Sequence, residues 1–237
     1  MRFPREVDTV DAPDGRGREK AITGNRQTSW AFAEAYGTPD AASAEGAALA
    51  WARDRSAEAG VRPVSPGCGD ALRLLAAGTG AKAVVEIGTG TGVSGLYLLQ
   101  GMRPGGVLTT IDTETDRQQA ARQAFRAAGF AANRARLIPG PALDVLPRLA
   151  DGGYDLMFCD GDRRDYPECL EEALRLLRPG GLVCFSGVFA EGRTMATAAQ
   201  PASVLRLREL LRAIRENLEL IPALLPVGDG LLCAARR

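Results

Sequence analysis

The segment VVEIGTGTGVSG, residues 84–95, decides the fold of this chain. A short run of apolar, β-branched residues leads directly into a glycine-rich turn, Gly88 to Gly92, and a stretch compatible with a helix follows it. Glycines in such a turn let the backbone bend tightly and approach a ligand that side chains would exclude. The segment therefore predicts a buried strand, a ligand-binding turn and a helix, in that order.

The same alternation of apolar runs and amphipathic stretches continues to the end of the chain. Strands are predicted at 83–87, 107–111, 135–138, 154–159 and 182–189. Helices are predicted at 94–102, 116–128, 142–149, 166–177 and 203–218, the last with Val204, Leu207, Leu210, Leu211, Ile214 and Leu218 on one face. PALLPVG and GLLCAA predict a terminal hairpin around Asp229, which adds an antiparallel strand to one edge. The pattern predicts an α/β fold with a seven-stranded, mostly parallel sheet and helices on both faces.

The N-terminal part of the chain has a different composition. Residues 1–25 are charged and contain proline and glycine, which predicts a flexible arm. Residues 26–237 are expected to form one domain, since 237 residues fit a single domain. Within it, 26–78 predict helices near 30–36, 41–59 and 69–77, with breaks at Pro63 and Pro66, and 79–237 predict the α/β core.

Composition excludes several classes of function. The formal net charge is zero and aromatic residues make up 5%, which argues against nucleic acid as a partner. The sequence shows neither a signal peptide nor an apolar run of membrane-spanning length, so we expect a cytoplasmic protein without a membrane partner. The five cysteines form no CxxC pair, and the chain has no histidine, so a histidine base or metal ligand is excluded.

Two acidic residues at predicted strand ends indicate which nucleoside the glycine turn binds. Glu86 precedes Gly88 by two residues, where it would repel a pyrophosphate but can receive the cationic amino group of a methionine. Asp112 ends the second strand, where an acid is expected to bond ribose hydroxyls. The dinucleotide pattern GxGxxG would place glycine at Val93. The combination predicts S-adenosylmethionine as the cofactor.

From Pro63 onward the motifs follow those of a known family. They are VSPGCGDALRLL (64–75), VVEIGTGTGVSGLYL (84–98), TTIDTE (109–114), GPALDVLPRL (140–149), YDLMFCDGDRRDY (154–166), LRLLRPGGLV (174–183) and PVGDGLL (226–232). The chain resembles the class I O-methyltransferases related to catechol and caffeoyl-CoA O-methyltransferases, with a Rossmann-like fold, and it is most similar to those of actinobacteria. The resemblance implies methylation of a small-molecule acceptor and a homodimer.

The resemblance also implies a set of residues around the cofactor. They are Val64, Glu86, Gly88, Thr89, Gly90, Ser94, Asp112, Thr113, Ala142, Asp160 and Asp162. Ala142 belongs to the loop 140–142, which would lie against the adenine. Asp160 and Asp162 follow the fourth strand of the core, at the carboxyl edge of the sheet where such folds bind ligands.

This sequence does not match the metal-binding residues of the metal-dependent family members. Asp160 falls on the first ligand of the metal-dependent members, but the Asp-Asn pair expected after the fifth strand falls on Ser186 and Gly187. A hydroxyl is a poor substitute for a carboxylate as a ligand of a hard cation. The position of a catalytic lysine falls on Arg163, which cannot act as a base at neutral pH. We therefore assign no metal ligand and do not count a divalent metal among the expected cofactors.

Asp160 is the first candidate for an acid or base that faces the substrate. The alternative is a carboxylate that caps the following turn and orients the cofactor. Arg163 and Arg164 are candidates to bind an anionic substrate, or else are solvated surface residues. The leading function is O-methyl transfer to a small molecule, with or without metal. The alternatives are N- or S-methyl transfer on the same scaffold and a non-catalytic dimer partner that binds the cofactor.

Overall fold

The computed structural model describes residues 27–237, so the predicted arm 1–25 lies outside the described residues. The strands, β1 to β7, are Ala83–Ile87, Val107–Asp112, Ala135–Pro139, Tyr154–Cys159, Leu177–Ser186, Leu220–Leu225 and Leu231–Arg236. The α-helices, α1 to α8, are 27–35, Ala44–Glu58, Pro66–Gly78, Val93–Gly101, Thr115–Ala127, Ala142–Val145, Tyr166–Leu176 and Ala202–Glu216.

All seven strands form one sheet in the order β3-β2-β1-β4-β5-β7-β6. The first five strands pair in parallel, and β7 pairs antiparallel with both β5 and β6. The predicted fold class is confirmed. The terminal hairpin brings the sheet to the predicted seven strands, and its antiparallel strand β7 inserts between β5 and β6 instead of lying at the edge.

The core lies on both faces of the sheet. Successive side chains of a strand point to opposite faces, and β4 shows this directly. Leu156 and Phe158 belong to the apolar cluster that includes residues of α2 to α5, whereas Met157 and Cys159 belong to the cluster that includes residues of α7 and α8. Parallel strands that are buried on both faces have continuous apolar sequences. For this reason the predicted bounds of β1 and β4 agree with the structure at every residue.

Several predicted boundaries are wrong, among them the end of the fifth strand, which is Ser186 instead of 189, and the end of the helix that begins at Ala142, which is Val145 instead of 149. Pro66 does not end a helix but lies in the first turn of α3, where the missing N–H is not needed, and the Ser65 hydroxyl caps this end. The strand β5 begins at Leu177 instead of 182, because a shift of register beside Tyr154 accommodates the glycine-containing segment after it. Leu218 lies beyond the end of α8 and is 88% exposed, so it is not part of the apolar face.

None of the helices within residues 27–237 is both long enough and apolar enough to span a membrane. The division into an arm, N-terminal helices and a core stays a prediction.

The helix α3 offers a test of the packing beneath the site. Leu72 is fully buried in the cluster with α4, whereas Leu74 on the same helix is 71% exposed. We expect Leu72→Ala to lower the free energy of unfolding by about 2–5 kcal/mol because a cavity is left in the core. Leu74→Ala should change it by less than about 0.5 kcal/mol. Urea unfolding of both variants measures the difference, and equal losses would contradict the packing described here.

Candidate functional site

A cavity of about 270 Å³ opens at the carboxyl ends of β1, β2 and β4. Of the residues predicted to bind the cofactor, it is lined by Val64, Gly88, Thr89, Gly90, Ser94, Asp112, Thr113, Asp160 and Asp162. The sheet topology brings these residues together, since the ends of neighbouring parallel strands lie at one edge. Glu86 and Ala142 do not line this cavity.

The glycine turn has a backbone that other residues would strain. Gly88 has φ of 90° and Gly90 has φ of 49°, both in the left-handed region. A Cβ atom on Gly88 would lie 2.5 Å from the backbone oxygen of Asp160, so the turn packs directly against the loop after β4. A Cβ atom on Gly90 would meet no atom within 4 Å, which leaves the Gly90 backbone accessible from the cavity.

Asp112 connects the end of β2 to the glycine turn. Its Oδ2 atom accepts a hydrogen bond from the Gly90 backbone N–H at 2.8 Å, and its Oδ1 atom accepts one from the Glu114 N–H at 2.9 Å. A carboxylate has about four acceptor positions. Asp112 therefore keeps acceptor capacity for a pair of hydroxyl groups in the cavity.

Glu86 lies one layer behind the cavity wall. Its side chain is fully buried, and its two carboxylate oxygens accept hydrogen bonds from the hydroxyls of Ser94 and Thr110, each at 2.6 Å. Burial raises the pKa of Glu86 to about 7, although the two hydroxyls act in the opposite direction. This placement favours an indirect role, in which Glu86 fixes the Ser94 side chain, and the predicted contact with the cofactor stays a prediction.

Two other predicted residues have clear surroundings. Ala142 begins the short helix α6 and packs against the apolar cluster of α7 and α8, so its contact with an adenine stays a prediction. Asp162 lines the cavity and caps the turn that follows, since its side chain accepts the Arg164 backbone N–H at 2.9 Å. The side-chain hydrogen bond from Arg164 holds the pKa of Asp162 below its usual range.

A second cavity, of about 450 Å³, adjoins the first. Asp160 and Val64 line both cavities. The other lining residues of the second cavity include Arg53, Cys68, Arg163, Ser186, Gly187 and Asp229. A group bound in one cavity can therefore meet a group bound in the other beside Asp160.

Asp160 has the properties of a group that gains or loses a proton near neutral pH. Its backbone N–H is held by the Ile87 carbonyl at 2.8 Å, which fixes its position at the end of β1. Burial raises the pKa of the Asp160 carboxyl to about 7, while a hydrogen bond with Ser186 and the charge of Arg163 lower it in part. A pKa near the working pH suits a general acid or base.

The residues around Asp160 do not fit a divalent cation. Among residues 27–237, no three histidine, cysteine or acidic side chains are grouped so that they could hold a metal ion. The Arg163 guanidinium lies against Gly187 and pairs with Asp229 at 3.2 Å. The positive charge of Arg163 thus lies beside Gly187, at the position where the metal-dependent members would need an anionic oxygen ligand.

Tyr166 holds the ends of β4 and β5 together beneath the two cavities. Its buried hydroxyl lies 3.2 Å from the Cys159 carbonyl oxygen and 3.1 Å from the Ser186 carbonyl oxygen, so it can donate to either. Burial raises the pKa of Tyr166 well above its usual value, which makes it a poor proton donor. Its placement is that of a packing residue.

Sequence reasoning missed several residues of the site. Thr110 was only a strand residue in the sequence, and its bond to Glu86 depends on the pairing of β1 with β2. Arg53 belongs to an alanine-rich helix far from the motifs, and nothing local indicates that it reaches the second cavity. Asp229, in contrast, lies in a Gly-Asp-Gly turn, and an acid between two glycines was a usable signal.

The buried Glu86 carboxyl should make the stability of the protein depend on pH. Its pKa is raised from 4.5 to about 7 in the folded chain, so the folded state binds the proton more tightly than the unfolded state. This contribution is fully present below pH 4.5 and is lost as the pH rises to about 7. We expect the free energy of unfolding, measured in urea without ligands, to fall over this window in the wild type.

Glu86→Gln should lack this part of the decrease, because glutamine does not titrate. Asp160→Asn is the comparison, since the Asp160 pKa is also raised to about 7, and it should keep the part due to Glu86. An identical pH dependence in the wild type and Glu86→Gln would show that Glu86 is not the group described.

Comparisons with known proteins agree with this geometry. A profile of a family described as O-methyltransferase matches residues 53–237. A relative from Mycobacterium sp. (strain JLS), named "Putative O-methyltransferase", is 52% identical over 192 residues, which cover 81% of this chain and 87% of the relative.

Solved structures are similar over most of the chain. The O-methyltransferase TomG from Streptomyces achromogenes, involved in tomaymycin synthesis and solved in complex with S-adenosylmethionine, has a TM-score of 0.74 and 29% identity, covering 80% of this chain and 89% of TomG. An O-methyltransferase from Bacillus cereus, solved with S-adenosylhomocysteine, has a TM-score of 0.74 and 27% identity, covering 81% of this chain and 91% of that chain. The resemblance inferred from the motifs is thereby confirmed, and the chain belongs to the O-methyltransferase family.

Proposed function

We propose that the protein transfers a methyl group from S-adenosylmethionine to a hydroxyl of a small-molecule acceptor, with the cofactor in the first cavity and the acceptor in the second. The observation that carries this proposal is the position of Asp160 and Val64, which line both cavities. When bound, the cofactor supplies a methyl group already activated by the sulfonium. The chain has to align the acceptor with it and exclude water, and alignment alone is worth about 7–11 kcal/mol.

The residues of the first cavity fit this cofactor. Asp112 has free acceptor positions for the ribose hydroxyls, and the Gly90 backbone faces open space. Ser94 lines the cavity with its hydroxyl held by Glu86, so it is placed for the methionine part. The related structures named above were solved with S-adenosylmethionine or S-adenosylhomocysteine, which supports this assignment.

Asp160 is the proposed base for the acceptor hydroxyl. Its alternative role, capping the turn after β4, is performed by Asp162, whose side chain accepts the Arg164 N–H. Asp160 thus remains available to the second cavity. N- or S-methyl transfer would use the same alignment, but membership in the O-methyltransferase family favours a hydroxyl acceptor. The homodimer and the cytoplasmic location stay predictions.

Replacing Asp112 tests the cofactor site. We expect Asp112→Asn to weaken binding of S-adenosylmethionine by about 10- to 100-fold, because charge-assisted hydrogen bonds of about 1.5–3 kcal/mol are lost. Asp116→Asn, an exposed change on α5, is the control and should bind normally. Calorimetric titration with Mg²⁺ and then with EDTA measures this, and we expect no effect of EDTA. Absence of binding by the wild type under both conditions would refute the proposed function.

Replacing Asp160 tests the proposed base. In the wild type, kcat/KM should rise with pH and level off above about 7, since the base must be ionised. Asp160→Asn should lose this limb and lower kcat by about 100- to 10,000-fold while still binding the cofactor. Asp162→Asn should keep the limb. A profile that is unchanged in Asp160→Asn would assign Asp160 a positioning role only.

A further inference from the structure

Arg53 brings to the second cavity a guanidinium that hydrogen-bonds with neutral groups, among them Tyr97, but makes no ion pair among the described residues. It lies on α2 and lines this cavity. Its Nη1 atom donates to the Val64 carbonyl at 3.0 Å, which fixes the guanidinium. Its Nη2 atom is buried and has no hydrogen-bond partner among the described residues. A buried donor of this kind costs free energy unless a ligand satisfies it.

The other two arginines of the cavity have ion-pair partners. Arg163 pairs with Asp229 at 3.2 Å, and Arg62 pairs with Glu191 at 2.9 Å. Asp160 is hydrogen-bonded with Ser186. Within residues 27–237, neither Arg53 nor Asp160 makes an ion pair, so Arg53 is the arginine of the cavity lining that has no carboxylate partner.

A nearby carboxylate does not supply this partner. Glu34 is close enough for Arg53 to lower its pKa, but the two form no ion pair. The Oε2 atom of Glu34 accepts the Gly67 N–H at 2.9 Å, and its Oε1 atom accepts the Gly228 N–H at 2.7 Å. Glu34 therefore holds backbone groups at the edge of the cavity instead of pairing with Arg53.

The start of α3 also borders the second cavity. Ser65 and Cys68 line the second cavity, and they belong to the N-terminal end of this 13-residue helix. The N-terminus of a helix carries a partial positive charge that favours anions. The Glu34 carboxylate already accepts the Gly67 N–H at this helix end, and Ser65 accepts the Cys68 N–H. The selection of an anion therefore rests on the guanidinium of Arg53.

We propose that the methyl acceptor carries a carboxylate, which binds to Arg53 while the acceptor hydroxyl faces Asp160. A planar carboxylate matches the geometry of the Arg53 guanidinium, which has no carboxylate partner of its own. The inference rests on the proposed function, because it assigns the second cavity to the acceptor. It names the substrate class that the cavity selects.

The test compares acids with amides of the same shape. The full-length protein is first titrated with S-adenosylhomocysteine and then, when loaded, with 3-hydroxybenzoate or 3-hydroxybenzamide. A second pair is 4-hydroxyphenylacetate and 4-hydroxyphenylacetamide. We expect the acid of at least one pair to bind 10-fold or more tightly than its amide. Equal binding, tighter binding of the amides, or no binding of any of the four probes would overturn the inference.

Variants of Arg53 then assign the preference to this residue. Arg53→Gln should abolish the preference for the acid, whereas Arg55→Gln, an exposed change on the same helix, should leave it intact. Arg53→Lys keeps the charge but loses the planar group, so it should retain a reduced preference. If Arg53→Gln fails to fold, Arg53→Lys decides, and a preference unchanged from the wild type would overturn the inference.

Failure of the proposed function gives a different result. If S-adenosylhomocysteine does not bind, the cofactor site is wrong and both proposals fall. If it binds normally in the wild type and in Arg53→Gln while acids and amides do not differ, only the carboxylate proposal is wrong.

Discussion

The close approach of the glycine turn to the loop after β4 is the constraint on which the site depends. Gly88 has no space for a side chain, because a Cβ atom would meet the Asp160 backbone oxygen at 2.5 Å. The same contact places the turn that lines the first cavity beside the carboxylate that lines the second. A larger residue at this position would separate two groups that methyl transfer needs side by side. The glycine therefore serves the geometry of the reaction as well as that of the turn.

The buried Glu86 carboxylate behind this turn lowers the stability of the fold but fixes the position of neighbouring polar side chains. Glu86 is removed from water and its pKa rises, so an ionised Glu86 destabilises the folded chain. In return it accepts hydrogen bonds from both Ser94 and Thr110, which connect β1 with α4 and β2. Thr110 is in turn bonded to Thr89 at 2.7 Å. The network fixes polar groups of the cavity wall before any ligand binds, and preorganised groups cost no rearrangement later.

The sequence predicted those parts of the molecule that are determined locally. The buried strands β1 and β4 are bounded by turn residues, and the glycine turn with Asp112 has a spacing that few other sites share. The start of β5 depends on a shift of register beside Tyr154, and Leu218 is lost from α8 because the helix ends at Glu216. Neither the start of β5 nor the end of α8 can be derived from the local sequence alone. The role of Arg53 was not predictable, because it arises only when α2 packs against α4 and α5.

The charges of the second cavity also limit the chemistry of the acceptor. Arg163 is paired with Asp229 and lies against Gly187, where the family pattern has a metal ligand. A guanidinium can attract an anion, but it does not lower the pKa of a hydroxyl as strongly as a bound metal ion does. Acidity must then come from the acceptor itself or from proton transfer to Asp160. A carboxylate base with a pKa near 7 can assist a phenol far better than an aliphatic alcohol, because the phenol pKa lies much closer to its own. With Asp160 as the proposed base, we therefore expect phenolic acceptors to be methylated in preference to alcohols.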